Sequence, residues 1–181
     1  MNQNLKKKPD IIIVDDHLIF RQGLKAIINF EDVGNVIAEA SNGEEFLEIL
    51  NSLKPDLVLM DIDMPLMNGF EATQKALEMM PGLKIIAFTV FSEEEYYNRM
   101  LKIGAKGFIL KSNGFNELEN AIKIVMKGES YFSGKLQIEE NGVGKKNEVT
   151  GDLKIENGLN AKKSKMHFFP WVVNKKKSAQ L

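Results

Sequence analysis

The sequence predicts an α/β fold: a doubly wound, five-stranded parallel sheet with helices on both faces. Short apolar runs rich in β-branched residues alternate five times with segments whose apolar residues recur at helical spacing. The connections are short, and right-handed crossovers of that kind lay successive strands parallel. Four of the runs end in a polar or charged residue that the chemistry of the edge can use.

Residues 1–9 read as a flexible tail. Ile11 to Val14 form the first strand and end in Asp15-Asp16. His17 to Phe30 follows as a helix with Phe20, Leu24, Ile27 and Ile28 on one face, and His17 is its starting residue. Val36 to Ala40 is a second strand. Ser41 or Asn42 can cap a helix over Gly43 to Leu53. Leu57 to Met60, bounded by Pro55-Asp56 and Pro65, is a short buried strand ending in Asp61. The third helix spans Gly69 to Met80 and stops at Pro81-Gly82. Lys84 to Phe88 is the fourth strand, followed by Thr89. Glu93 to Ile103 is helical and Gly104 ends it. Gly107 to Leu110 is the fifth strand, followed by Lys111. Asn116 to Lys127 is the last clear helix, closed by Gly128.

Composition narrows the classes. The chain of 181 residues has a formal net charge of -1, so no global basic field points to nucleic acid. Residues 1–133 carry 14 Lys and Arg against 20 acids, while residues 134–181 carry 10 Lys against 5 acids. Cysteine is absent, which removes disulfides, thiolate nucleophiles and thiolate-held metals. The apolar run after the basic N-terminus is too short for a signal segment, and no run approaches the roughly 20 apolar residues of a membrane helix. The expected location is the cytoplasm.

A parallel sheet brings the carboxyl ends of its strands to one edge, where ligands collect in open α/β folds. Asp15, Asp16, Asp61, Thr89 and Lys111 can therefore converge. Three carboxylates repel one another unless a cation compensates. An all-oxygen donor set suits Mg²⁺. Lys111 adds a movable positive charge and Thr89 a hydroxyl donor. A metal, an ammonium and a hydroxyl around one carboxylate are the parts that stabilise a phosphoryl group in transfer, with Asp61 as nucleophile.

The runs IIIVDDH, LVLMDIDMPLMNG, IIAFT and GAKGFILK, in this order, resemble the receiver domain of two-component response regulators over residues 10–132. DDHLIFRQGLKAII and NELENAIKIVMKGESYFS resemble its NarL/FixJ subfamily, whose output domain is of the LuxR type. The resemblance implies the CheY-like, flavodoxin-like (βα)5 receiver fold. It implies that Asp61 accepts a phosphoryl group from a sensor histidine kinase with Mg²⁺. Asp16, Asp61 and the backbone carbonyl of Asp63 would ligate the metal, and Asp15 would act through water. Thr89 and Lys111 would bind phosphate oxygens. Phe108 would be the aromatic switch residue. Asp63 and Phe91 would tune dephosphorylation. The face formed by the fourth helix, fifth strand and fifth helix would switch, with a phosphorylation-linked homodimer as a family expectation. Its activity would be its own phosphorylation and autodephosphorylation and not enzymatic turnover. Ser112 follows Lys111 where many members carry proline, and Val90 follows Thr89 where Ala or Ser is common.

Two other readings compete. Asp61 and Asp63 also resemble the first motif of haloacid-dehalogenase-type Mg phosphatases, but Pro65 stands where that family has Thr or Val. A DNA-binding transcription regulator is the other. Residues 133–181 read as a basic linker or tail. Leu159 to Lys163 and Val173 to Leu181 faintly echo the start of a LuxR-type helix-turn-helix domain, while Pro170 breaks the helix expected there. The expectation is a degenerate or truncated output region, or a basic extension, with no route to sequence-specific DNA recognition.

Overall fold

The apolar runs form the strands and the periodic segments the helices, as patterning requires. The computed structural model of the chain describes residues 8–132. The basic tail expected over 133–181, with its echo of a helix-turn-helix domain, and most of the N-terminal tail lie outside the described residues. The order is β1 (Asp10–Val14), α1 (Leu18–Phe30), β2 (Asn35–Ala40), α2 (Gly43–Leu50), β3 (Leu57–Met60), α3 (Gly69–Met79), β4 (Lys84–Thr89), α4 (Glu94–Ile103), β5 (Gly107–Leu110), α5 (Phe115–Met126) and β6 (Tyr131–Phe132), with one tight helical turn at Lys111–Asn113.

The strands lie in the order β2-β1-β3-β4-β5-β6, and every pair is parallel. The expected five-stranded sheet is corrected to six. Tyr131 and Phe132 pair with Gly107 and Phe108. Two residues carry too little alternation to register as a strand in sequence. α1 and α4 start one residue later than expected, because His17 and Glu93 are capping positions outside the helices they open. α2 and α3 start as expected, after Asn42 and Asn68, and α5 starts one residue earlier, at Phe115. The end of α2 retreats three residues from the expected Leu53 to Leu50.

Side chains alternate across each strand and build two apolar layers. Ile12, Val14, Val58, Met60, Ile85, Ala87 and Phe108 pack under α2, α3 and α4. Ile11, Ile13, Leu57, Leu59, Ile86, Phe88 and Ile109 pack under α1 and α5. β1, β3 and β4 are buried on both faces, which explains why they read as unbroken apolar runs. Each fully buried Ile or Leu contributes roughly 1.5–3 kcal/mol of burial.

Local chemistry sets the helix ends. The Asn42 side chain accepts from the backbone N–H groups of Glu44 and Glu45, at 3.0 Å each. Asn68 accepts from Glu71 N–H at 3.0 Å. Gly104 closes α4 with φ 107°, a left-handed conformation that glycine adopts without strain.

Strand β1 has neighbours on both sides, β2 and β3, so the chain reverses its winding direction there. A crevice opens at such a reversal, outside the carboxyl ends of the strands. Asp15 and Asp61 are the residues that follow β1 and β3.

Candidate functional site: an acidic cluster with a shared lysine

Register fixes the first two carboxylates. Val14 pairs with Met60, so Asp15 and Asp61 emerge side by side from neighbouring strands. Asp15 N–H donates to Ala40 O at 3.0 Å and Asp61 N–H to Val14 O at 2.8 Å. Both side chains are buried, with Asp15 at 2% and Asp61 at 4% exposure.

Lys111 supplies the compensating charge. Its Nζ lies 2.6 Å from Asp61 Oδ2 and 2.6 Å from Asp15 Oδ2. The remaining carboxylate oxygens find backbone donors. Ile62 N–H donates to Asp61 Oδ1 at 2.7 Å, and His17 N–H donates to Asp15 Oδ1 at 2.8 Å. Burial pushes the Asp61 carboxyl above its ordinary value of 3.8, and the Lys111 ammonium opposes that rise.

Asp16 is exposed, and its Oδ1 lies 2.7 Å from His17 Nδ1. One donor atom each from Asp15, Asp16, His17 and Asp61 falls within 4.8 Å of the others. A divalent cation fits this set: three carboxylates offer hard oxygen donors, and the exposed pair leaves one side open to water. In sequence, His17 reads as a helix-start residue near the site and not as a metal ligand. It does occupy the capping position of α1, and it also borders the acidic cluster.

The approach of α3 depends on glycine. Gly69 N–H donates to Ile62 O at 2.9 Å. A Cβ at Gly69 would run into the Asp61 carbonyl oxygen and lie 2.9 Å from Ile62 Cα. Between them Leu66 adopts φ 65° and stands 78% exposed, a left-handed strain of about 1 kcal/mol for a residue with a Cβ.

Thr89 is fully buried at the end of β4, and its hydroxyl accepts from Phe91 N–H at 3.4 Å. Phe108 is buried and meets the Tyr97 ring edge-on at 5.7 Å. Phe91 is half-buried and stacks on Tyr96 at 4.7 Å, and Tyr96 stacks on Phe70 of α3 at 5.8 Å. Asp63 is exposed in the loop after β3.

Sequence reasoning missed two residues of α1. Arg21 is buried, its Nη1 donates to the Asp15 backbone carbonyl, and its Nε lies 3.3 Å from Glu39 Oε2 on β2. It therefore braces the loop that carries both acids. The signal was present: Arg21 stands on the same stripe as Leu24 and Ile28, a charge on the inward face of an amphipathic helix. Phe20 reads in sequence as ordinary core. Its ring lies under the Lys111 ammonium, 4.6 Å from centroid to Nζ.

Comparison with known proteins follows the same outline. The family described as the response regulator receiver domain matches residues 11–123. The transcriptional regulatory protein DegU of Brevibacillus brevis is 36% identical over 137 residues, covering 75% of this chain and 58% of its own length. The response regulator GacA of Pseudomonas viridiflava is 39% identical over 126 residues, covering 70% and 59%. The oxygen regulatory protein NreC of Staphylococcus aureus is 41% identical over 127 residues, covering 70% and 58%. The chain thus spans 58–59% of the length of these curated relatives. Among solved structures, a two-component response regulator of the LuxR family from an Aurantimonas species matches with TM-score 0.66 and 30% identity, covering 69% of this chain and 89% of that one. A CheY-like receiver domain protein from Methanospirillum hungatei matches with TM-score 0.62 and 30% identity, covering 67% and 96%.

Proposed function

The chain belongs to the response regulator receiver family, and from that premise we propose that Asp61 accepts a phosphoryl group from the phosphohistidine of a sensor histidine kinase. The observation that carries this is the pairing of a buried carboxylate at the end of β3 with the Lys111 ammonium at 2.6 Å. Asp61 Oδ attacks phosphorus, a P–O bond forms, and the P–N bond breaks. The leaving imidazole nitrogen keeps the bonding pair and takes a proton from solvent.

Asp16, Asp61 and the Asp63 carbonyl would hold Mg²⁺, with Asp15 reaching it through water. When bound, the metal supplies neutralising charge to the phosphoryl oxygens. Lys111 moves from the carboxylates to a phosphoryl oxygen as the negative charge relocates. The Thr89 hydroxyl exchanges its present contact with Phe91 N–H for donation to another phosphoryl oxygen. Movement of Thr89 then passes to Phe108 and to the face of α4, β5 and α5. Asp63 and Phe91 set how long the acyl phosphate lasts.

Exposed apolar residues at this edge support docking of a kinase. Leu18 and Ile19 at the start of α1, Leu66 after β3 and Val90 after β4 all stand exposed. No helix among the described residues is long and apolar enough to cross a membrane. A cytoplasmic location is a separate proposal, resting on the proposed exchange with a kinase phosphohistidine. A phosphorylation-linked homodimer is the proposed output state. Regulation of transcription, stated in the name of the Brevibacillus relative, is a proposal for this chain. It is tested by operator binding with and without phosphorylation.

The main experiment is Mg²⁺-dependent labelling by acetyl phosphate or a phosphorylated kinase. Labelling of the parent and its loss in Asp61→Asn are expected. Turnover of phosphate esters with no accumulating phosphoprotein would overturn the reading in favour of a phosphatase.

A further inference from the structure

We propose that Phe20 is a positioning residue for Lys111: its ring is the seat that holds the ammonium between Asp15 and Asp61. The use of that seat in phosphoryl transfer rests on the function proposed above.

The geometry is three-sided. Two contacts of the ammonium go to Asp15 Oδ2 and Asp61 Oδ2 at 2.6 Å each. The third side faces the Phe20 ring, 4.6 Å from Nζ to centroid, within the range of a cation–π contact. Lys111 is only 9% exposed, so water competes little for the ammonium and the ring face counts for more. A lysine side chain carries four rotatable methylenes, and two carboxylates alone leave its stem free to swing. A ring under the ammonium restricts that freedom.

The ring itself is held. Phe20 packs against Phe88 at 5.7 Å and 43°. Phe88 is the residue before Thr89, so one aromatic contact ties the seat to the strand that carries the hydroxyl. Phe20 thus joins the ends of β4 and β5 from the side of α1. When Lys111 shifts toward a phosphoryl oxygen, the face of a fixed ring gives the ammonium a surface to slide over. Metal-coordinating groups are untouched by this role, because Phe20 offers no donor atom.

Simple core filling makes a different claim. A filler would tolerate leucine about as well beside Lys111 as without it. A seat would not.

Two measurements on the full chain decide this. The first is denaturant unfolding in EDTA of the parent, Phe20→Leu, Lys111→Met and the double variant. The loss of folding equilibrium caused by Phe20→Leu is expected to be about three- to tenfold larger with Lys111 present than in the Lys111→Met background. Equal losses in both backgrounds would overturn the seat. The second is the initial rate of labelling by acetyl phosphate at saturating Mg²⁺. Phe20→Tyr and Phe20→Trp are expected to stay within about twofold of the parent, and Phe20→Leu to fall roughly three- to tenfold. A leucine variant as fast as the parent, or aromatic variants as slow as leucine, would overturn the positioning role. Phe20→Met replaces the leucine variant if that one does not fold. Failure of the parent to label would sink the phosphoacceptor reading alone, since the unfolding cycle judges the seat without any phosphate.

Discussion

The Lys111 ammonium stands 2.6 Å from Asp61 Oδ2, and the same atom stands 2.6 Å from Asp15 Oδ2. One cation is therefore shared by two buried carboxylates that follow two different strands, and the three groups together keep a negative charge. Lys111→Met would leave both acids without a cation, and unfolding free energy in EDTA should fall by about 3 kcal/mol. Added Mg²⁺ should raise the stability of this variant more than that of the parent, because a metal held by the acidic cluster would take over the missing charge. Denaturant melts with and without Mg²⁺ check both statements, and an equal metal effect in the two proteins would contradict them.

The raised carboxyl of Asp61 makes stability depend on pH. Its folded value lies above the unfolded 3.8, because burial outweighs the pull of Lys111. The folded state therefore binds the proton more tightly. Its contribution to stability is fully present below the unfolded value and is lost as the pH rises through the folded value. Asp61→Asn removes that loss. In EDTA at neutral pH the variant should be more stable than the parent, by about 1 kcal/mol, and the difference should shrink toward pH 4. Paired melts across this range measure it, and a difference that grows on acidification would refute the sign.

Gly69 holds α3 against the Asp61 carbonyl. Gly69→Ala puts a methyl group into backbone atoms of Asp61 and Ile62 that have no free rotamer to yield. We expect a loss of about 3 kcal/mol, more than the gain in helix propensity can offset. The rate of labelling should fall as well, since the loop carrying Asp61 must shift. A melt within experimental error of the parent would show that the helix start gives way cheaply.

Asp63 is exposed, and under the proposed function its side chain would hold a water near the phosphoryl group. Asp63→Ala should lengthen the lifetime of the acyl phosphate, by roughly two- to tenfold, while Asp61 remains the acceptor. Stability should change by no more than about 0.5 kcal/mol, as for other surface substitutions. A decay time course on labelled protein reads the first effect, and decay at the parent's rate would end the assignment.

Asp61, Asp15, Thr89 and Lys111 were legible because each follows a short apolar run, and a parallel sheet gathers such residues at one edge. Gly69 is legible as the start of the third helix, but its closeness to the Asp61 carbonyl is not. That contact depends on how α3 seats against β3. Phe20 and Arg21 were hidden for a similar reason. Helical spacing tells which residues face inward, yet it does not tell that one inward residue meets an ammonium and the next a backbone carbonyl. Strand β6 was hidden by its length of two residues.

That short strand also determines how tension would enter the domain. Tyr131 N–H donates to Lys106 O at 2.9 Å, and Tyr131 and Phe132 lie beside Gly107 and Phe108. The Phe132 ring meets the edge of Tyr97 on α4 at 5.3 Å. A pull on the chain beyond Phe132 would load β5 and α4 first, three residues from the lysine that Asp15 and Asp61 share.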